Sequence, residues 1–279
     1  YIVIVRPKDA TKRGRYVFRF YKDGQWVFVE IDYRLPCDEY GNLVFARCAD
    51  KNELWVPLLE KAYSKLFGSY QQLTGGHVMN AIVDMTGGVS QITKITPDMA
   101  NDDALWEQLS FKTNNGSYML GCCSIGLDQK ELEHSGLLSG HAYAVLKTLV
   151  VQGHKLIKIR NPWGHGEWKL KWSDEDKVSW TEQMVKEVGA KFGDDGEFWM
   201  EYADFCKYWT QLDCVRLFND PYERERKGLP PTSEMDWSVE IRKGQWQGET
   251  AGGLFSSNTP ESAKNPQFVL HLKETTEVC

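Results

Sequence analysis

Gly140–Gly164 reads GHAYAVLKTLVVQGHKLIKIRNPWG. Apolar and β-branched residues fill the stretch from His141 to Val151 and alternate with basic ones from Lys155 to Arg160. Patterning of this kind, broken once at Gly153, predicts two strands joined across that glycine. The hairpin carries a histidine at the start of its first strand and an asparagine at the end of its second. Taken alone, a histidine after a glycine is ordinarily a structural residue satisfied by backbone groups, and an asparagine before proline is ordinarily turn chemistry. Together the two have a further meaning. Adjacent antiparallel strands could hold His141 and Asn161 side by side, and a carboxamide in that place can orient an imidazole that serves a cysteine nucleophile.

Outward from this hairpin the chain reads as a mixture of helices and strands. Upstream, Tyr16–Asp32 is a second hairpin, with aromatic and β-branched residues flanking Asp23-Gly24. Leu35-Pro36 ends it, and Leu43–Ala46 is a candidate short strand. A helix is expected over Asn52–Phe67, where Leu54, Trp55, Leu58, Leu59, Ala62, Tyr63 and Leu66 share one face. Asp50 with Glu53 caps its start, and Gly68 stops it. Another is expected over Pro97–Lys112, with Thr96 as cap, and a strand over Tyr118–Ser124. Downstream, Phe198–Met200 is a short apolar run, Asp204–Trp209 a helical turn and Cys214–Leu217 a strand. Asn219–Asp236 is polar, charged and proline-containing, as a linker is. Beyond it, Trp237–Ile241, Gln245–Gln247 and Phe268–Leu272 look like strands.

Composition narrows the function classes. Of 279 residues, 42% are apolar and 26% charged, an ordinary globular balance with enough aromatic residues for a core. A net charge of −6 argues against nucleic acid as the main partner, since phosphate binding needs a basic face. No apolar run reaches the roughly 18 residues of a membrane-spanning helix, and the N-terminus lacks the features of a signal peptide. Seven cysteines without framework spacing read as reduced thiols of a cytosolic protein. Tyr rather than Met opens the sequence, which reads as a fragment.

Two further constellations remain. Asp194-Asp195-Gly196-Glu197, with Glu167 and Asp174 upstream, is either a solvated acidic turn or a set of carboxylates gathered by a hard cation such as calcium. Spacing does not separate these readings. Cys122-Cys123 with His134 suggests zinc only weakly, because no C-x-x-C pair exists and strand thiols are usually packing residues. Phosphate-binding, zincin, dinucleotide and serine-hydrolase motifs are all absent.

Taken in order, ELWVPLLEKAYSKLFGSYQQLTGG, DMTGGV, GHAYAV, IRNPWGHGEWKLKWSDED and DDGEFWMEYADF resemble the calpain family of cysteine proteases. The tail, with WSVEI, GQW, TAGG and NPQFVLHL, resembles the opening of the β-sandwich domain that follows the protease core in that family. The likeness runs from about Tyr16 to Leu272. It implies an α+β fold: a papain-like two-lobe core, followed by the start of an all-β sandwich. Residues 1–76 are then the later part of the first lobe, 77–218 the complete second lobe, 219–236 a linker and 237–279 the start of the sandwich.

The resemblance also assigns roles. His141 matches the catalytic histidine, Asn161 the asparagine that orients it, and Trp163 the tryptophan that stands in the cleft and moves when calcium binds. Gly75, Gly76 and Gly140 match backbone positions that pair with extended substrate. Glu167, Asp174, Asp195 and Glu197 match side-chain ligands of the second-lobe calcium site, with the Gly193 carbonyl as a further ligand. Asp50 matches a glutamate of the first-lobe site. The family's nucleophile lies in a Gln…Gly-Asp-Cys-Trp segment upstream of the first hairpin, and no such segment occurs here. The expectation is therefore a calcium-dependent cytoplasmic cysteine endopeptidase acting on protein substrates, with this chain alone inactive. The alternative is a non-catalytic relative that binds partners under calcium control. A purely structural β-rich adaptor leaves GHAY and NPWG without a purpose. Nothing in the sequence bears on a regulatory subunit.

Overall fold

A two-residue strand, β1 (Ile4–Val5), pairs antiparallel with β2 (Arg15–Lys22), which forms the expected hairpin with β3 (Gln25–Asp32). The computed structural model describes residues 4–5, 14–218, 242–253, 260–269 and 271. Asp23 and Gly24 both take positive φ, 49° and 82°, the mirror-image turn whose twist matches that of the flanking strands. Phe18, Phe20, Val29 and Ile31 of this small sheet bury against Leu58, Leu59 and Ala62 of α1 (Trp55–Phe67). Lys61 and Lys65 of that helix donate to the carbonyls of Asp32 and Glu30 on edge strand β3, at 3.2 and 2.7 Å.

The start of α1 differs from expectation. Leu54 is its cap and no side chain caps it, because Asp50 is turned to Asn52, accepting from its backbone N–H at 2.8 Å and its amide at 3.1 Å. Gly68 stops the helix at φ 102°. Leu43–Ala46 is not a strand; the single bridge Cys37–Leu43 is all that forms there.

Residues 78–216 build a six-stranded antiparallel sheet in the order β4-β9-β5-β6-β7-β8. Its strands are β4 (Val89–Lys94), β5 (Tyr118–Cys123), β6 (Ala142–Val151), β7 (His154–Arg160), β8 (Glu197–Glu201) and β9 (Gln211–Arg216). The helices are α2 (Val78–Thr86), α3 (Ala104–Asn114), α4 (Gln129–Leu132), α5 (Glu182–Val188) and α6 (Tyr202–Tyr208). One expected helix becomes two pieces, a 3-10 turn at Pro97–Asn101 and α3. Asp102 is extended and its carboxylate accepts from the Ala104 N–H at 3.0 Å, a local bond that competes with a continuous helix. Helix α2 and strand β4 were not expected. β4 lies at the sheet edge with most residues exposed, so it carries no apolar alternation.

One core cluster joins Leu120, Tyr143, Ile157, Ile159, Phe198 and Met200 of the sheet to Leu109 of α3 and Phe205 of α6. A second gathers Leu156 and Trp199 with Trp172, Trp180 and Met184. Trp172 sits in the left-handed region at φ 69° although its ring is buried. Tyr63 of α1 donates to Asp84 of α2 at 2.8 Å, and Lys22 of β2 lies 3.5 Å from the same carboxylate. These bonds tie the small sheet to α2, which packs on the large one.

The chain divides at Asp220/Pro221 into two units. In the second, the described residues of the expected strands at Gln245–Gln247 and Phe268–Leu272 are not in strands. Thr250 explains the first: its hydroxyl donates to the Gln245 carbonyl at 2.8 Å and accepts from the Gln247 N–H at 3.1 Å, folding the segment into a capped 3-10 turn. Trp237–Ile241 and Asn219–Asp236 lie outside the described residues, and no described helix is long and apolar enough to cross a membrane.

Replacing Gly24 with alanine should cost about 1–2 kcal/mol, since any Cβ is penalised at that φ. Chemical denaturation would read this as a lower midpoint at unchanged slope.

Candidate active site and acidic loop

The start of β6 and the end of β7 lie at the same end of the sheet, with Ala144 opposite Arg160. That register brings the residues just beyond, His141 and Asn161, into contact. Asn161 is fully buried. Its Nδ2 donates to the carbonyls of His165 and Gly166 at 2.8 and 2.9 Å, which settles the amide's orientation. Oδ1 is then left to accept, from the Trp163 N–H at 3.1 Å and from His141 Nε2 at 2.9 Å. A carbonyl oxygen cannot donate, so Nε2 carries the proton and the neutral ring keeps its lone pair on Nδ1. A buried amide has thereby selected one tautomer and left the basic nitrogen without a protein partner among the described residues.

Aromatic rings hold the imidazole on two sides. The Trp163 ring lies 4.3 Å away at a 43° tilt, and the Tyr143 ring lies 4.9 Å away at 80°. Trp163 is 59% exposed, whereas Tyr143 is buried and its hydroxyl accepts from the Leu138 N–H at 3.2 Å. Gly140, at φ 65°, donates to the Ser124 carbonyl at 2.8 Å and turns the chain into β6. A side chain there would meet nothing, and the same is true of Gly75 and Gly76, which line an open groove with Leu73 and Val78. All three glycines present accessible backbone.

Two of the acidic residues, Glu167 and Asp174, bond to the backbone of the 193–196 loop. Glu167 Oε1 accepts from the N–H groups of Asp195 and Gly196 at 3.0 and 2.7 Å, and Asp174 Oδ2 accepts from Gly193 at 2.8 Å. The Gly193 carbonyl takes the Asp195 N–H at 2.9 Å, and Asp195 Oδ1 takes the Glu197 N–H at 2.8 Å. Glu197 is turned to Lys158, with Arg160 Nε at 3.9 Å. Burial raises the carboxyl pKa values of both Glu167 and Asp174, and the charge of Asp195 adds to each rise. Asp174 Oδ1 is buried without a partner. Among the described residues no group of three or more His, Cys, Asp or Glu is arranged to hold a metal ion. Asp50 lies in the exposed turn before α1, engaged with Asn52.

No described thiol hydrogen-bonds His141. The Cys122 and Cys123 thiols are pushed up, the latter to about 11, by burial first and then by the charge of Asp213 and, for Cys122, of Cys123. That is the reverse of an activated thiolate.

Sequence reasoning missed four participants. Tyr143 packs edge-on against the histidine, and Lys158 with Arg160 faces Glu197. The alternation of KLIKIR carried a signal for the last two, since Lys158 and Arg160 fall on one face of the strand, opposite Lys155. Gly196 is the fourth. Its carbonyl accepts from the Asn161 N–H at 2.8 Å while its own N–H serves Glu167, and a Cβ there would meet Asn161 O at 2.8 Å and Gly164 at 2.9 Å. Gly196→Ala should therefore cost more than about 2 kcal/mol, from strain at φ 83° and from the clash. It should also mix the His141 tautomers, which nitrogen-15 NMR of the imidazole reads directly.

A family model described as "Calpain family cysteine protease" matches residues 1–216. The chain is 37% identical over 276 residues to "Calpain-type cysteine protease ADL1" of Oryza sativa subsp. japonica, covering 97% of this chain and 12% of that protein. It is 36% identical to "Calpain-8" of Rattus norvegicus, covering 98% of this chain and 39% of that one. The match to "Calpain clp-1" of Caenorhabditis elegans is 36% over 99% of this chain and 36% of the relative. The chain thus spans well under half the length of these relatives, and nearly all of itself is accounted for by the likeness. It belongs to the calpain family of cysteine proteases.

Proposed function

We propose that this chain provides the general base and the cation-responsive loop of a calcium-dependent cysteine endopeptidase that cleaves cytoplasmic proteins in a limited way. The observation that carries the proposal is the His141–Asn161 bond, with Nε2 committed to the amide and Nδ1 left free. A cysteine facing Nδ1 would give up its proton there, and the resulting thiolate would attack a peptide carbonyl carbon. The imidazolium then returns that proton to the leaving amine as the C–N bond breaks, leaving a thioester. Water, relieved of a proton by the same nitrogen, attacks the thioester and frees the thiol. Asn161 keeps the ring in one tautomer through both steps. In this reading residues 1–76 and 77–218 are parts of the two lobes, Gly75, Gly76 and Gly140 pair with extended substrate, and residues 237–279 open a β-sandwich.

Calcium suits the acidic loop. The donors are all oxygen, and the buried Asp174 Oδ1 lacks any partner, as a ligand atom awaiting a cation does. Glu167, Asp174, Asp195, Glu197 and the Gly193 carbonyl would hold the ion. When bound, it neutralises carboxylates that otherwise repel. Because Gly196 bonds Glu167 through its N–H and Asn161 through its carbonyl, ordering this loop would also order the turn that bears Trp163.

The sequence holds no Gly-Asp-Cys-Trp segment, and removing an attacking group typically costs on the order of 10⁶ in rate. The chain by itself should leave casein and short peptides intact, with and without calcium. Thiol-dependent cleavage lost on changing Cys122 would refute that.

Calcium titration followed by calorimetry, thermal unfolding and tryptophan fluorescence tests the loop. Stabilisation of about 2.7 kcal/mol is expected at a hundredfold excess over the dissociation constant. Magnesium should substitute poorly, because it demands a tighter octahedral shell. An equal response in Asp195→Ala would remove the site from the reading.

A further inference from the structure

Glu197 is the one carboxylate of the acidic group whose side chain has a cationic partner among the ion pairs described. It opens β8, directly opposite Arg160 in the register with β7, and Lys158 stands two residues back on the same face of that strand. The Lys158 ammonium contacts Glu197 Oε2, and Arg160 Nε lies 3.9 Å from Oε1. Both partners of the closer pair are shielded, with side chains 27% and 31% exposed. The other acidic side chains are held instead by backbone N–H groups of the loop, at Gly193, Asp195, Gly196 and Glu197. Glu197 thus faces a sheet cation while its neighbours face the loop.

We propose that Lys158 is a tethered competitor of the divalent cation, pairing with Glu197 so that calcium enters the acidic loop only by opening that ion pair. The inference rests on the calcium reading above. A strand lysine has the properties this needs. Its ammonium is one positive charge on a flexible stem, able to swing away from a carboxylate without disturbing the ladder that anchors its Cα. Arg160, facing the other oxygen from farther off, offers Glu197 a weaker second partner. Without a divalent ion the pair keeps the charge of Glu197 turned away from Glu167, Asp174 and Asp195, which backbone N–H groups hold. With the ion bound, Lys158 is displaced and repels it at short range. The ion pair therefore sets the concentration at which the loop responds, without any change in its ligands.

The test is a double-mutant cycle on the whole chain, read by calcium calorimetry and by the calcium-dependent shift in thermal unfolding. Lys158→Met keeps the apolar stem and removes the charge, and it should tighten calcium binding roughly tenfold. Lys158→Gln is the second variant, should the first fold poorly, and Lys158→Arg should bind much as the wild type does. Glu197→Gln removes the pair's other member, so in that background Lys158→Met should change calcium affinity less than twofold. Equal tightening in both backgrounds would reduce Lys158 to a general surface charge and overturn the proposal. So would unchanged or weakened binding in Lys158→Met while the wild type binds normally, a result that leaves the calcium reading intact. Binding by Lys158→Met and none by the wild type would support the competitor strongly. No calcium binding by either would overturn the calcium reading and this inference together.

Discussion

Everything at the candidate site hangs on a primary amide that has no access to water. Asn161 satisfies both of its donors on its own turn and both directions of its acceptor on Trp163 and His141. A buried amide left half-paired costs about 1–3 kcal/mol, so the turn, the tryptophan and the imidazole are held as one unit by a requirement that has nothing to do with catalysis. The chemistry follows from it. A ring whose Nε2–H is claimed by protein presents its other nitrogen outward, whatever approaches.

The same unit is anchored from behind. Gly196 faces Asn161 with its carbonyl and Glu167 with its N–H, so the two peptide units that flank one glycine join the histidine's support to the acidic loop. The contact is so close that no side chain fits. Between the Glu167 carboxylate and the imidazole stand only one glycine and one buried amide. Coupling over so few bonds needs no long-range rearrangement.

Much of this was legible in the sequence because it is local. The two hairpins announce themselves through alternation and a turn glycine, and α1 through seven apolar residues on one face. His141 and Asn161 meet because consecutive strands of a hairpin are neighbours, which patterning alone fixes. What escaped depends on partners distant in sequence or on competition between bonds. Strand β4 exists because β9 offers it an edge more than a hundred residues away, and its own residues are mostly polar and exposed. The helix expected over Pro97–Lys112 breaks where the Asp102 carboxylate takes a backbone N–H, and the cap expected of Asp50 is lost to Asn52. The orientation of Glu197 toward Lys158 is likewise a choice between two sets of partners, and composition is blind to such choices.

Trp172 places a different kind of demand on the chain. Its backbone adopts a geometry in which glycine would be at ease, yet its ring fills the space between Trp180 and His154, two residues before Asp174. A glycine would relieve the backbone and leave a void the size of an indole, whereas another large residue would keep the strain and lose the fit. No single substitution improves both. Any replacement exchanges one cost for the other, and the segment leading into Asp174 is set by that balance.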